Sequence, residues 1–252
     1  CYAENTDSGQ AKGGGVLLSI IMWAGKSSLD VNVVVERYPN QPGPSRRFEA
    51  IQIPGRNGDL FIDSGAYDNY IQEYQIYFNA NKWKTPTGAR YVRAWLQSPV
   101  GYQRLEDSYD PDYYRVAYYS GPTEIENAMN LFGRATISFN CKPQRWRKDG
   151  EIPIPLSEHN SLYNELFPAL PLIKVNGTAA GNLYVGSYTV EIKELDGYMM
   201  IDCESQNAYK DTLNKNNEIL AKAFPVLQPG ENTISWDGGI SDIEITPRWW
   251  TI

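Results

Sequence analysis

Histidine is almost missing from this 252-residue chain, which has one, His159. Any Ser-His-Asp or Cys-His arrangement would have to use it. It lies in a polar, proline-containing stretch that is badly suited to holding an imidazole rigid. Cysteine is scarce and scattered, at Cys1, Cys141 and Cys203. None is part of a C-x-x-C pair, and an odd number cannot be fully paired within one chain. Cys141 and Cys203 fall on predicted strands and are expected to be reduced and buried. With so few His and Cys, the one metal chemistry left open is an all-oxygen calcium site. There is no glycine-rich phosphate loop, because Gly13-Gly14-Gly15 has no helix behind it. The longest apolar run, residues 16–23, is much too short to cross a bilayer. Positive charge is also lacking: the formal net charge is −7, which argues against a nucleic-acid partner, since that needs a basic footprint. Neither a cofactor nor a membrane is expected.

What is present points to strands. Hydrophobic residues make up 42% of the chain, and 18 Tyr and 7 Trp accompany 21 Gly and 16 Pro. That composition suits a folded protein of many short strands joined by turns. The clearest pattern is at residues 133–146. Ala135, Ile137, Phe139 and Cys141 alternate there with Arg134, Thr136, Ser138 and Asn140, so one face meets a core. Pro143 is expected to end that strand.

Further strands are predicted at 16–23, 31–37, 48–53, 60–63, 70–78 and 113–119. Asn57-Gly58 is a strong hairpin signal, because both turn positions favour positive φ. One helix is predicted at 86–97, with Thr85 as its cap and Tyr91, Val92, Trp95 and Leu96 facing the sheet. Residues 1–15 read as a disordered tail, 16–146 as an N-terminal domain, and 147–168 as a linker with a helical turn near 162–166. Residues 169–252 read as a second domain of short strands with turns at Asn176-Gly177 and Asp196-Gly197, a β-sandwich pattern. Within it, 183–192 reads as one strand, 207–217 as a polar loop and 218–223 as a helical turn.

Catalytic signals are thin. Glu106, Asp107, Asp110 and Asp112 are the calcium candidates, but their spacing is not that of an EF-hand and Pro111 interrupts them, so a solvated loop is the better reading. No pair of carboxylates stands out as a glycosidase pair. Trp249 and Trp250 could serve sugar binding, but neighbouring strand residues point to opposite faces, so at most one faces outward.

Several stretches resemble the distal tail protein (Dit) of long-tailed, non-contractile bacteriophages. They are residues 53–60, 101–115, 133–145, 171–175, 195–198, 229–234 and 245–250, in order along nearly all of the chain except the tail. The resemblance implies a mainly β fold: an N-terminal β-sandwich-like ring domain with one helix, and a C-terminal galectin-like β-sandwich. It implies a structural, non-enzymatic hub of the tail tip, made in the bacterial host cytoplasm and carried in the virion. Six copies would form a ring joining the major tail protein to the tail-associated lysin or tail fibre. Receptor-binding proteins and the tape measure protein are further implied partners. Within such a ring, the Asn57-Gly58 hairpin and the strand holding Tyr113 and Tyr114 are the candidate subunit contacts. The alternative is a carbohydrate-binding cell-surface module, lipid-anchored through Cys1.

Overall fold

A computed structural model describes residues 19–79, 85–121, 126–128, 132–156 and 160–252. Among these residues the fold is mainly β with one α-helix. Its first half holds β1 (Ile21–Trp23), β2 (Lys26–Ser27), β3 (Val33–Val35), β4 (Arg46–Ile51), β5 (Leu60–Tyr67), β6 (Tyr70–Asn79), α1 (Thr85–Gln97), β7 (Gln103–Asp107), β8 (Tyr113–Tyr119), β9 (Glu126–Ala128) and β10 (Phe132–Arg147). All of these strands except β4 and β5 join one antiparallel sheet in the order β2-β1-β7-β8-β10-β6-β3, with β9 also on β10.

The alternation at 133–141 does what it predicts, since Ile137, Phe139 and Cys141 are fully buried. The strand does not stop at Pro143, however. It runs on to Arg147, and the ladder to β8 shifts register between Cys141 and Arg145. Pro143 lies inside that irregularity, where its missing N–H removes no ladder bond.

The helix packs through Ala89, Val92, Trp95 and Leu96. Tyr91 is instead 49% exposed, because it sits about 100° round the helix from Val92, outside the stripe. Trp23 fixes the end of the helix, its Nε1–H donating to the Leu96 carbonyl at 3.2 Å. That satisfies one of the carbonyls a helix C-terminus leaves unpaired. The Trp23 ring also meets Phe139, with centroids 4.8 Å apart.

The second half holds β11 (Ile154–Leu156), β12 (Asn160–Asn164), β13 (Leu172–Gly177), β14 (Gly181–Val185), β15 (Tyr188–Ile192), β16 (Gly197–Asp202), β17 (Asn207–Lys210), β18 (Leu213–Asn214), β19 (Ile219–Ala221), β20 (Gly230–Trp236), β21 (Ile240–Thr246) and β22 (Trp250–Thr251). Two antiparallel sheets, β11-β21-β13-β16-β17-β18 and β12-β20-β14-β15-β19, form a sandwich. Ile173, Val175, Leu183, Val190, Ile201, Ile234 and Ile243 are fully or almost fully buried in its core.

The stretch 147–168 is not simply a linker, because β11 pairs with β21 and β12 with β20. The predicted helical turn at 162–166 is the strand β12. Leu162 and buried Asn164 point inward at period two, while Leu166 is exposed, which is the periodicity of a strand and not of a helix. Residues 183–192 are two strands, folded back at Gly186-Ser187 where Gly186 has φ +54°. The loop at 207–217 contains the β17–β18 pair, and the turn expected at 218–223 holds the strand β19 at Ile219–Ala221. Asn176-Gly177 lies within β13, not in a turn. Residues 1–15 and His159 lie outside the described residues.

The chain then returns to the first sheet. β22 pairs with β10 through Arg145↔Thr251 and Trp146↔Trp250. The Arg147 N–H donates to the Trp249 carbonyl at 2.9 Å and the Arg248 N–H to that of Gly150 at 2.8 Å. Glycine is required at position 150, since a Cβ there would lie 2.5 Å from the Trp249 nitrogen.

Candidate functional site

Among the described residues the β4–β5 hairpin pairs with no other strand and forms a two-stranded sheet of its own. Its register pairs Phe48 with Asp63, Glu49 with Ile62, Ala50 with Phe61 and Ile51 with Leu60. One face therefore carries Phe48, Ala50 and Phe61, and the other carries Ile51, Leu60 and Ile62. Neither face is covered. Phe48 is 55% exposed, Phe61 56% and Ile62 46%. Phe48 and Phe61 touch only along a diagonal, with centroids 4.7 Å apart. An isolated two-stranded hairpin is marginal in water. Apolar side chains on both faces and free N–H and C=O groups on both edges mark it as a surface that needs a partner.

Ion pairs hold the arm's base. Arg46 pairs with Asp63, and the Arg47 guanidinium lies 2.7 Å from the Asp68 carboxylate. The Ser64 hydroxyl donates to the Arg47 carbonyl at 2.7 Å. The Arg46 hydrogen bond, together with the Gly65 N–H, holds the Asp63 carboxyl below its ordinary value.

The tip spans residues 52–59 and contains Asn57 and Gly58. Gly58 takes φ +79° and Gly55 takes φ +81°, whereas Asn57 keeps a negative φ. The tip is thus not the two-residue turn that Asn57-Gly58 suggests. It is a longer loop in which Pro54-Gly55 turns first and the Arg56 N–H returns to the Ile53 carbonyl at 3.1 Å.

Tyr113 and Tyr114 lie elsewhere, on β8. That strand lies between β7 and β10; Tyr113 and Tyr114 pair with Arg147 and Trp146 of β10, and the Tyr113 N–H donates to the Asp110 carbonyl at 3.2 Å. The Tyr114 ring lies under the Arg104 guanidinium, 3.7 Å from it. Burial and the Glu151 carboxylate push its phenol well up. The hairpin and the tyrosine pair therefore do not form one surface.

The acidic run at 106–112 is not a solvated loop throughout. Asp107 is 5% exposed and accepts from the Tyr74 hydroxyl at 2.6 Å and from Arg115 at 3.0 Å. Glu106 pairs with Lys148 and, at 2.5 Å, with Arg104. Among the described residues no group of His, Cys, Asp or Glu is placed to hold a metal ion. The tryptophans offered for sugar binding are used in packing. Trp249 is 8% exposed. Trp250 stacks on Phe167 at 4.7 Å and donates to the Pro168 carbonyl at 2.9 Å. Among the described residues no helix is long and apolar enough to cross a membrane.

No protein-family model matches the chain, and no curated protein matches it in sequence. Among solved structures it is similar to the SPP1 Dit (gp 19.1) protein, described as a paradigm of the hub adsorption apparatus in phages that infect Gram-positive bacteria. The TM-score is 0.74 at 12% identity, over 93% of this chain and 100% of that one. The likeness is one of fold.

Proposed function

We propose that this chain is a structural hub of a long-tailed phage tail tip, a distal tail protein that closes into a ring of six copies. In this reading the ring joins the major tail protein to the tail-associated lysin or tail fibre. It also presents receptor-binding proteins, and the chain resides in the virion. It acts by surface complementarity and does no chemistry.

The observation that carries this reading is the β4–β5 arm: an unsupported hairpin with Phe48, Ile51, Leu60, Phe61 and Ile62 open to solvent. A closed ring requires a head-to-tail contact in which one patch meets a different patch on the next copy. A projecting hairpin meets that need cheaply, since its edges can extend a neighbour's sheet and its apolar side chains can be covered there. The fold shared with a phage hub protein supports the same assignment. Trp249 and Trp250, which would carry the carbohydrate-binding alternative, are committed to packing.

Negative-stain images of the purified chain test the proposal. Annular particles with six-fold symmetry, alone or after addition of tail-tube protein, are expected. Isolated particles under both conditions would overturn it.

A further inference from the structure

The outer face of the β14-β15-β19 sheet carries a groove of about 560 Å³, lined in part by Asn182, Tyr188, Thr189, Glu191, Leu220 and Lys222. Strand register builds it. Asn182 lies opposite Glu191, and Glu191 opposite Leu220. These three face outward because their neighbours Leu183, Val190 and Ile192 point into the core. One wall is fixed: Asp237 accepts from the Asn182 side-chain amide at 3.0 Å and from the Tyr184 hydroxyl at 2.8 Å.

The other wall is uncommitted. Among the described residues, Glu191 and Lys222 make no ion pair and Thr189 no side-chain hydrogen bond. Beside these polar groups lies Leu220, 57% exposed.

We infer that this groove binds a short, uncharged saccharide. The volume lies within the range of small-molecule sites. The free carboxylate and the free ammonium balance, so the groove selects neither a strong anion nor a strong cation. A sugar hydroxyl can donate to Glu191 and accept from Lys222 or the Asn182 amide. The C–H face of the pyranose covers Leu220, the exposed apolar side chain between Glu191 and Lys222. A purely apolar ligand would strand the polar wall, whose groups lose water without gaining partners. The inference concerns the second sandwich alone and stands whether or not the chain forms a ring.

Titration of the full chain with lactose, maltose and chitobiose at millimolar concentration, followed by amide chemical shifts, tests it. At least one of the three is expected to shift the amides of β14, β15 and β19. Glu191→Ala and Lys222→Ala, both at exposed positions, should each weaken that binding at least about fivefold, a loss of about 1 kcal/mol, with unchanged far-UV circular dichroism. Silence with all three sugars, shifts that map to other strands, or binding that survives both substitutions would overturn the inference.

Discussion

The Arg115 guanidinium lies 3.0 Å from the Asp107 carboxylate, with both side chains only 2% exposed. Asp107 also accepts from the N–H groups of Tyr109 and Asp110, at 3.0 and 2.9 Å, and from the Tyr74 hydroxyl. Its charge is therefore fully solvated by protein. Arg115→Met should destabilise the fold by about 3–5 kcal/mol, because it leaves a buried carboxylate without its counter-charge. The double variant Arg115→Met/Asp107→Leu should recover much of that loss. Urea unfolding measures both, and a near-neutral Arg115→Met would contradict the assignment.

Burial pushes the Cys141 and Cys203 thiols up to about 12 each. At pH 8 neither should be alkylated by iodoacetamide in the native protein, and both should be alkylated in denaturant. Peptide mass mapping reads the result. Rapid native labelling would show that β10 opens at Cys141, or that the turn after β16 opens at Cys203.

Gly177 lets β13 approach the 237–240 turn. A Cβ there would sit 2.3 Å from the Gly239 carbonyl oxygen and 2.7 Å from a Leu195 methyl. Because the first obstacle is backbone, Gly177→Ala should cost about 1–3 kcal/mol. A change in the melting midpoint too small to measure would mean that the turn yields freely.

The Arg248 guanidinium lies 2.6 Å from the Asp202 carboxylate and links β16 to the segment leading into β22. Burial alone would raise the Asp202 carboxyl, but the hydrogen bond and charge of Arg248 reverse this and hold it below its ordinary value. The unfolded chain then binds more protons than the folded one as the acid range is crossed. The stabilisation is fully present above about pH 4 and is lost as pH falls through the folded value. Asp202→Asn should cost about 1 kcal/mol at neutral pH, discounted for the pair's partial exposure, and almost nothing in strong acid. A difference that does not change with pH would exclude the ion pair as its cause.

Local patterns made much of the fold legible. The alternation from Ala135 to Cys141 fixed a core strand, and β8 coincides with the tyrosine-rich run at 113–119. The helix was readable from Pro86 and the spacing of Val92 with Trp95 and Leu96. The errors fell where pairing partners decide. Leu162 looked helical until β20 was there to pair with it. Pro143 looked like a strand end because a register shift cannot be seen from one strand alone. Asp107 looked solvated because Arg115 and Tyr74, which bury it, come from β8 and β6. The hairpin was visible in Asn57-Gly58, but not its isolation, since the strands predicted at 48–53 and 60–63 carry no local sign of whether another strand pairs with them.

The central claim is that this isolated arm holds copies of the chain together, and the direct measurement is the native mass of the protein with and without its two phenylalanines. The wild-type chain should form a six-copy species. Phe48→Ser/Phe61→Ser should remain monomeric with a melting midpoint close to wild type, because both rings are already exposed. A double variant that assembles as the wild type does would contradict the account.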